Sequence, residues 1–256
     1  MIRPFFGALG LAVLLAAPAG AQVNVEALRP GALPFGRSGT LGGDLSARAG
    51  NVDFVSVDLN ARMYHVMEGQ VRLLFASGGL GFLERSRFSS SGLFHFRTTY
   101  DEVVRHVQPE WYAQVNYDRA TLLDFRLVAG AGARTSLGEG GRGSFGAGTS
   151  LMFEREWLEL PDTALHPERT AEVRWSTFLS FRYEVGETTV LASTTYLQPA
   201  LSDLGDYRAL EDFQLSTRIT DELALRVTLD LRYDSGPPDG LDALDGRLRT
   251  GVTYSY

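Results

Sequence analysis

Between Leu223 and Tyr233 every second residue is apolar. Leu223, Leu225, Val227, Leu229, Leu231 and Tyr233 alternate with Ala224, Arg226, Thr228, Asp230 and Arg232. Successive Cβ atoms of a strand point to opposite faces, so this stretch predicts a β-strand with one greasy face and one charged face. A helix, whose neighbours recur at three and four, cannot separate the two sets so cleanly. About twelve segments of this kind follow one another from residue 40 onward, which predicts a large sheet with one apolar and one polar side.

Composition narrows what such a sheet can be. The chain has 256 residues, 31 acidic and 24 basic side chains, a formal charge of -7 and no Cys. Every basic residue is Arg. The acidic balance argues against a nucleic-acid partner, which needs a basic footprint for phosphates. Residues 1–21 read as a signal peptide: Arg3, an apolar run from Phe5 to Ala17, and the small-residue site Ala19-Gly20-Ala21 before Gln22. The run is short of the ~20 residues that span a bilayer as a helix. Residues 22–36, with Pro30 and Pro34, read as an arm, and 37–256 as the sheet domain. Without disulfides, an exported chain must draw stability from a large core or a membrane.

Taken in order, the second strand places Val55, Val57, Leu59, Ala61 and Met63 opposite Ser56, Asp58, Asn60 and Arg62. The third offers Val71, Leu73 and Phe75 as its apolar row, then dissolves into glycines and a polar connection from Glu84 to Gly92. The fourth sets His95 and Arg97 against Phe94 and Phe96. The sixth has Asp124, Arg126 and Arg134 on its polar face, and the seventh ends near Glu154, before a polar connection from Glu156 to Glu168. The eighth carries Arg174, Arg182 and Glu184. The ninth, near Thr188 to Gln198, alternates poorly. The tenth begins near Asp212, and the twelfth ends on Leu248, Thr250, Val252, Tyr254 and Tyr256.

Three features put the greasy face against lipid. Tight turns near Met67, Glu139, Gly186 and Asp221 tend to alternate with longer connections near Glu84, Glu156 and Ser235, as in outer-membrane barrels. Tyr and Trp cluster near strand ends on the apolar face, including Tyr100, Trp111, Tyr183 and Tyr254, which resembles aromatic girdles. The chain also stops on an alternating strand with terminal aromatics, and Tyr254 and Tyr256 are the expected assembly signal for the outer-membrane insertion machinery. The fold class expected is therefore all-β, an antiparallel transmembrane β-barrel of about twelve strands. Such a cylinder is roughly 24 Å across at the backbone. Arg126, Arg174, Arg182, Arg226 and Arg232 would face inward with Asp124, Glu184 and Asp230, pair, and leave a narrow, charge-filled lumen. A periplasmic barrel binding lipid in an apolar cavity is the alternative, and an outer-membrane enzyme a more distant one.

Little in the sequence points to catalysis. His65, His95, His106 and His166 have no metal-pair spacing, and no catalytic, cofactor or metal residues are assigned. His95 is expected beside Asn116 or Asp118, where a luminal hydrogen bond is the plain reading and a general base the bolder one. Inward glycines at 130, 132, 146 and 148 read as relief of crowding. Asp234, Asp239, Asp242 and Asp245 form an acidic loop whose spacing matches no calcium loop.

The order of several short motifs carries a resemblance. Asn24-Val25-Glu26-Ala27-Leu28-Arg29, Gly50-Asn51-Val52-Asp53, Leu204-Gly205-Asp206-Tyr207-Arg208 and Arg232-Tyr233-Asp234-Ser235-Gly236-Pro237-Pro238 are similar to the bacterial outer-membrane group known as domain of unknown function 481, of the salt-induced outer membrane protein type. The resemblance implies a barrel in the outer membrane of a Gram-negative bacterium and no established biochemical activity; outer-membrane lipids and lipopolysaccharide are the expected surroundings, and a structural, stress-related or limited-transport role is the expected function. The resemblance implies no catalytic residues. Tyr256 departs from the Phe usual at the end of such barrels. A monomer without cofactors is expected.

Overall fold

The computed structural model describes residues 33–48, 54–84 and 86–256. The leader expected at 1–21 and most of the arm expected at 22–36 lie outside them. Twelve strands follow one another: β1 (Gly36–Arg48), β2 (Phe54–Met67), β3 (Gln70–Leu83), β4 (Ser86–Tyr100), β5 (Val107–Asp118), β6 (Leu123–Gly140), β7 (Gly143–Leu158), β8 (Arg169–Val185), β9 (Thr189–Pro199), β10 (Tyr207–Arg218), β11 (Leu223–Asp234) and β12 (Leu244–Ser255). Each pairs antiparallel with its sequence neighbours, and β12 pairs with β1, so the sheet closes into a barrel without free edges. The seam runs from Thr40↔Ser255 to Asp44↔Gly251, and beyond it Gly39 and Tyr256 exchange backbone hydrogen bonds of 3.1 and 3.0 Å.

The apolar rows face outward. Leu59, Leu179 and Leu248 are 62%, 63% and 70% exposed, whereas the inward Arg226, Thr228 and Asp230 are 7%, 5% and 9% exposed. An apolar surface around a polar interior is the arrangement of a barrel solvated by lipid. One end of the barrel carries the first and last strand ends and mostly tight turns, with Gly69 and Gly186 at φ +77° and +74° where an L side chain would be strained. The other end carries the long connections 159–168, 200–206 and 235–243.

Several strands run further than their alternation suggests. β3 continues through Gly78, Gly79 and Gly81 to Leu83, and β4 starts at Ser86, so the expected connection from Glu84 to Gly92 is a tight turn followed by strand. Glycine and serine carry no hydropathy signal, yet the sheet satisfies their backbone groups. The face expected for β3 is also reversed. Leu73 and Phe75 point inward at 6% and 5% exposure, and Leu74, Ala76, Leu80 and Phe82 form the outer row. Two adjacent leucines allow either phase, and Phe75 is drawn in beneath the Arg62 guanidinium, 5.6 Å from the ring centre. Residues 156–158, expected in a loop, extend β7, and Tyr207 to Glu211 extend β10.

Two inward aromatics lie flat across glycines. A Cβ on Gly130 would collide with the Tyr112 ring, and one on Gly148 with the Phe178 ring. The relief of crowding is therefore specific: each glycine leaves a shallow seat for a ring on the adjacent strand. Tyr112, Val128 and Met152 pack together as a buried apolar patch within the lumen.

Candidate functional site

The lumen is the place where polar side chains from many strands meet. Its densest cluster lies toward the long-loop end. Arg126 on β6 binds Glu156 on β7 and approaches Glu154 at 3.5 Å. Arg174 on β8 binds Glu154 at 3.1 Å and Asp206 at 3.1 Å. Arg208 on β10 reaches across the barrel to Glu154 (2.7 Å) and Glu156 (3.0 Å), and its Nε donates to Asp234 at 2.8 Å. Glu154, Glu156 and Arg174 are 1%, 3% and 3% exposed, so these charges depend on one another for solvation. Because β10 and β7 are not neighbours, Arg208 is a strut across the interior rather than a ladder contact.

A second group ties β11 and β12 to each other and to β1 and β2. Arg226 binds Asp44 at 3.0 Å, Arg247 binds Asp58 at 2.5 Å, and Arg249 binds Asp230 at 2.5 Å. Beside them is a cavity of about 120 Å³ lined by Arg62, Phe75, Asp212 and Thr228 together with Arg226, Arg247, Asp58, Arg249 and Asp230. A cavity of about 110 Å³ opens at the long-loop mouth among Leu123, Leu158, Tyr233, Pro237 and Leu241. Arg232 borders both.

The residues expected in the luminal network divide three ways. Arg126, Arg174, Arg226 and Asp230 are brought into ion pairs, and Arg232 stands between the two cavities. Asp124 does not join them. A register shift between Leu123 and Phe125 makes it the extra residue of a bulge, and it is exposed while Leu123 turns in. Glu184 is also exposed, close to the tight turn at Gly186, and Arg182 is half-buried nearby, at the end of β8 away from the Arg208 cluster. Glu156, Arg208 and Asp206 were missed. Carrying the phase of Ser150, Met152 and Glu154 two residues on, or that of Asp212 four residues back, places Glu156 and Arg208 inward.

The two loop and histidine expectations resolve as local structure. His95 is 2% exposed, but the register sets it opposite Gln114, whose Oε1 lies 3.1 Å from Nδ1. Asp118 is instead opposite Ser91 and accepts the Ala120 N–H at 3.0 Å to start a 3₁₀ turn over Arg119–Thr121. The acidic residues in and beside the 235–243 connection act separately. Asp234 holds Arg208, while Asp239 accepts the Leu165 and His166 N–H groups at 2.6 Å each and clasps two long loops together. Those amides, His166 first, hold the Asp239 carboxyl below the ordinary aspartate range.

Solved outer-membrane barrels share this architecture. The COG4313 outer membrane channel from Pseudomonas putida F1 matches with a TM-score of 0.54 at 12% identity, over 89% of this chain and 99% of that one. The NanC porin matches with a TM-score of 0.50 at 12% identity, over 86% and 99%. The translocator domain of the autotransporter NalP from Neisseria meningitidis gives 0.46 at 11% identity, over 86% and 87%. At such identities the likeness is one of fold. No curated protein matches the chain. The family described as protein of unknown function DUF481 matches residues 90–256.

Proposed function

The chain belongs to the DUF481 family of proteins of unknown function, and from that premise we propose that it is a channel-type barrel of the Gram-negative outer membrane whose narrow lumen is held nearly shut by ion pairs. The observation that carries this reading is the Arg208 strut. One guanidinium from β10 engages two carboxylates of β7 across the interior and a third on β11. A wide aqueous pore has no need to solvate its charges this way. The second group, Arg226–Asp44 and Arg247–Asp58, constrains the other half of the section. Spaces for water and small ions lie beside Arg62 and Arg232, and a smaller one lies beside His95.

The outward apolar rows argue against a periplasmic lipid carrier, which would turn them in. We favour transport or a structural role over catalysis; the buried His95 imidazole lies 3.1 Å from the Gln114 amide oxygen, as the plain reading of a luminal hydrogen bond expects. A barrel that leaks little at rest suits a structural or stress-related role. Its surroundings would be outer-membrane lipids and lipopolysaccharide, reached through the insertion machinery with Tyr254 and Tyr256 on the last strand.

The test is planar-bilayer conductance of the purified barrel and of an Arg226→Ser, Arg232→Ser variant. The parent is expected to conduct weakly. The variant removes bulk and leaves Asp44 and Asp230 with less compensation, so it should conduct more and lean toward cations. A large, stable parent conductance would overturn the proposal.

A further inference from the structure

The outer wall of β7 and β8 changes character at the long-loop end. On β7 the outward row runs Phe145, Ala147, Thr149, Leu151 and Phe153, and then Arg155 and Trp157. On β8 it runs from Phe181 back to Ala171, and then Arg169. At ~3.3 Å per residue and a tilt of ~40°, Phe181 to Ala171 covers roughly 25 Å of depth. The apolar band of such barrels is ~25 Å tall. Arg155, Trp157 and Arg169 therefore stand at its edge, where headgroups begin.

The register sets these three side chains together. Trp157 pairs with Arg169 and Arg155 with Ala171, so the two arginines are diagonal neighbours with Cβ atoms roughly 7–8 Å apart. The Arg155 guanidinium lies over the Trp157 ring, 4.9 Å from its centre. Phe125, on β6, packs against the same indole with ring centres 5.5 Å apart. Stacking occupies the face of a guanidinium and leaves its N–H edge for an acceptor. Among the described residues, neither arginine makes an ion pair or a side-chain hydrogen bond. Asp124 and Glu168, both exposed, adjoin Phe125 and Arg169 in sequence and engage neither. The luminal arginines differ: Arg174 meets two carboxylates and Arg208 three. Two unneutralised cations at this spacing repel, and an anion seated between them turns the repulsion into attraction.

We infer that Arg155 and Arg169, with Trp157 between them, bind a phosphate group of lipopolysaccharide at the outer edge of the membrane. Forked guanidiniums match the oxygens of a phosphate. The long loops of such barrels face outward, so this edge meets the outer leaflet, whose glycolipid carries phosphates on its anchor. The Trp157 and Phe125 rings offer apolar surface to the carbons next to that phosphate. The site rests on the reading of the chain as an outer-membrane barrel with its long loops outside, and not on whether the lumen conducts.

The barrel, folded in a neutral detergent, is titrated with diphosphoryl lipid A, with the same lipid A stripped of its phosphates, and with phosphatidylglycerol. Bound lipid is counted by native mass spectrometry, and heat-modifiable gel migration checks that each variant is folded. The parent should take up diphosphoryl lipid A ahead of the other two. Arg155→Gln and Arg169→Gln should each weaken that binding about tenfold, the scale of a charge-assisted hydrogen bond. Arg72→Gln, exposed near the start of β3 at the opposite end of the barrel, should leave it unchanged. In intact cells, an antibody should reach a tag inserted in the 159–168 connection. Equal uptake of phosphate-free lipid A or of phosphatidylglycerol would overturn the site and leave the barrel reading in place. So would parental binding by a folded Arg155→Gln, Arg169→Gln double variant. A tag reached only after the outer membrane is opened would overturn both.

Discussion

Val227 and Thr228 are neighbours on β11 with opposite surroundings. Val227 belongs to the outer row, paired with Leu215 and Thr250, whereas Thr228 lines the charged cavity. Val227→Arg puts a cation against lipid near mid-depth and should cost about 2–4 kcal/mol. Thr228→Arg has polar neighbours and should cost less. Unfolding in lipid vesicles ranks the two, and the reverse order would mean the faces are misassigned. Asp239 gives a prediction with pH. Its carboxyl is held below the ordinary value, near ~3.9, so the loop clasp is fully present above that value and is lost as pH falls through the lowered one. Proteolysis of the 159–168 connection should therefore be slow at neutral pH, faster in strong acid, and fast at both in Asp239→Ala. A parent loop cleaved equally at both pH values would contradict the clasp. At this scale, phase along a strand was enough to turn Arg126, Arg174 and Arg226 inward from sequence. It failed at Asp124 because a bulge adds one residue and nothing in the local composition marks it. It failed at Leu73 because Leu74 follows.

β12 closes the barrel against β1, and Tyr256 extends that seam by two backbone hydrogen bonds with Gly39. The Tyr256 side chain lies so close over Gly39 that a Cβ there would collide with it. Deleting Tyr256 should therefore slow assembly by shortening the seam as well as by removing the terminal aromatic. Pulse-chase measurement of heat-modifiable protein would show it, and identical rates for truncated and full-length chains would refute it. Strand count and order were legible in sequence because most central runs alternate, even though β9 does so poorly. Strand ends were not. β3 and β4 are joined through glycines and serines that carry no pattern, and β7 and β10 gain residues whose charges resemble loop composition. Glu156 and Arg208 look like loop residues for the same reason that makes them matter: they are ions, and only the barrel's closure supplies each with its counter-charge.

Across the whole molecule, the outer wall is solvated by lipid and the inner wall by its own ions. Closure brings Arg208 and Glu154, 54 residues apart in sequence, to 2.7 Å. No local pattern could announce that pairing, because it depends on where β10 stands relative to β7 around the circle. The central claim is that this strut and its partners keep the lumen nearly shut. Single-channel recording under a salt gradient, comparing the parent with Arg208→Ser, tests it most directly. The parent should show small or no conductance. Arg208→Ser should open a larger one with a reversal potential shifted toward cations, because Glu154, Glu156 and Asp234 then face water with less compensation. A parent that already conducts strongly, with the same conductance and selectivity after Arg208→Ser, would contradict it.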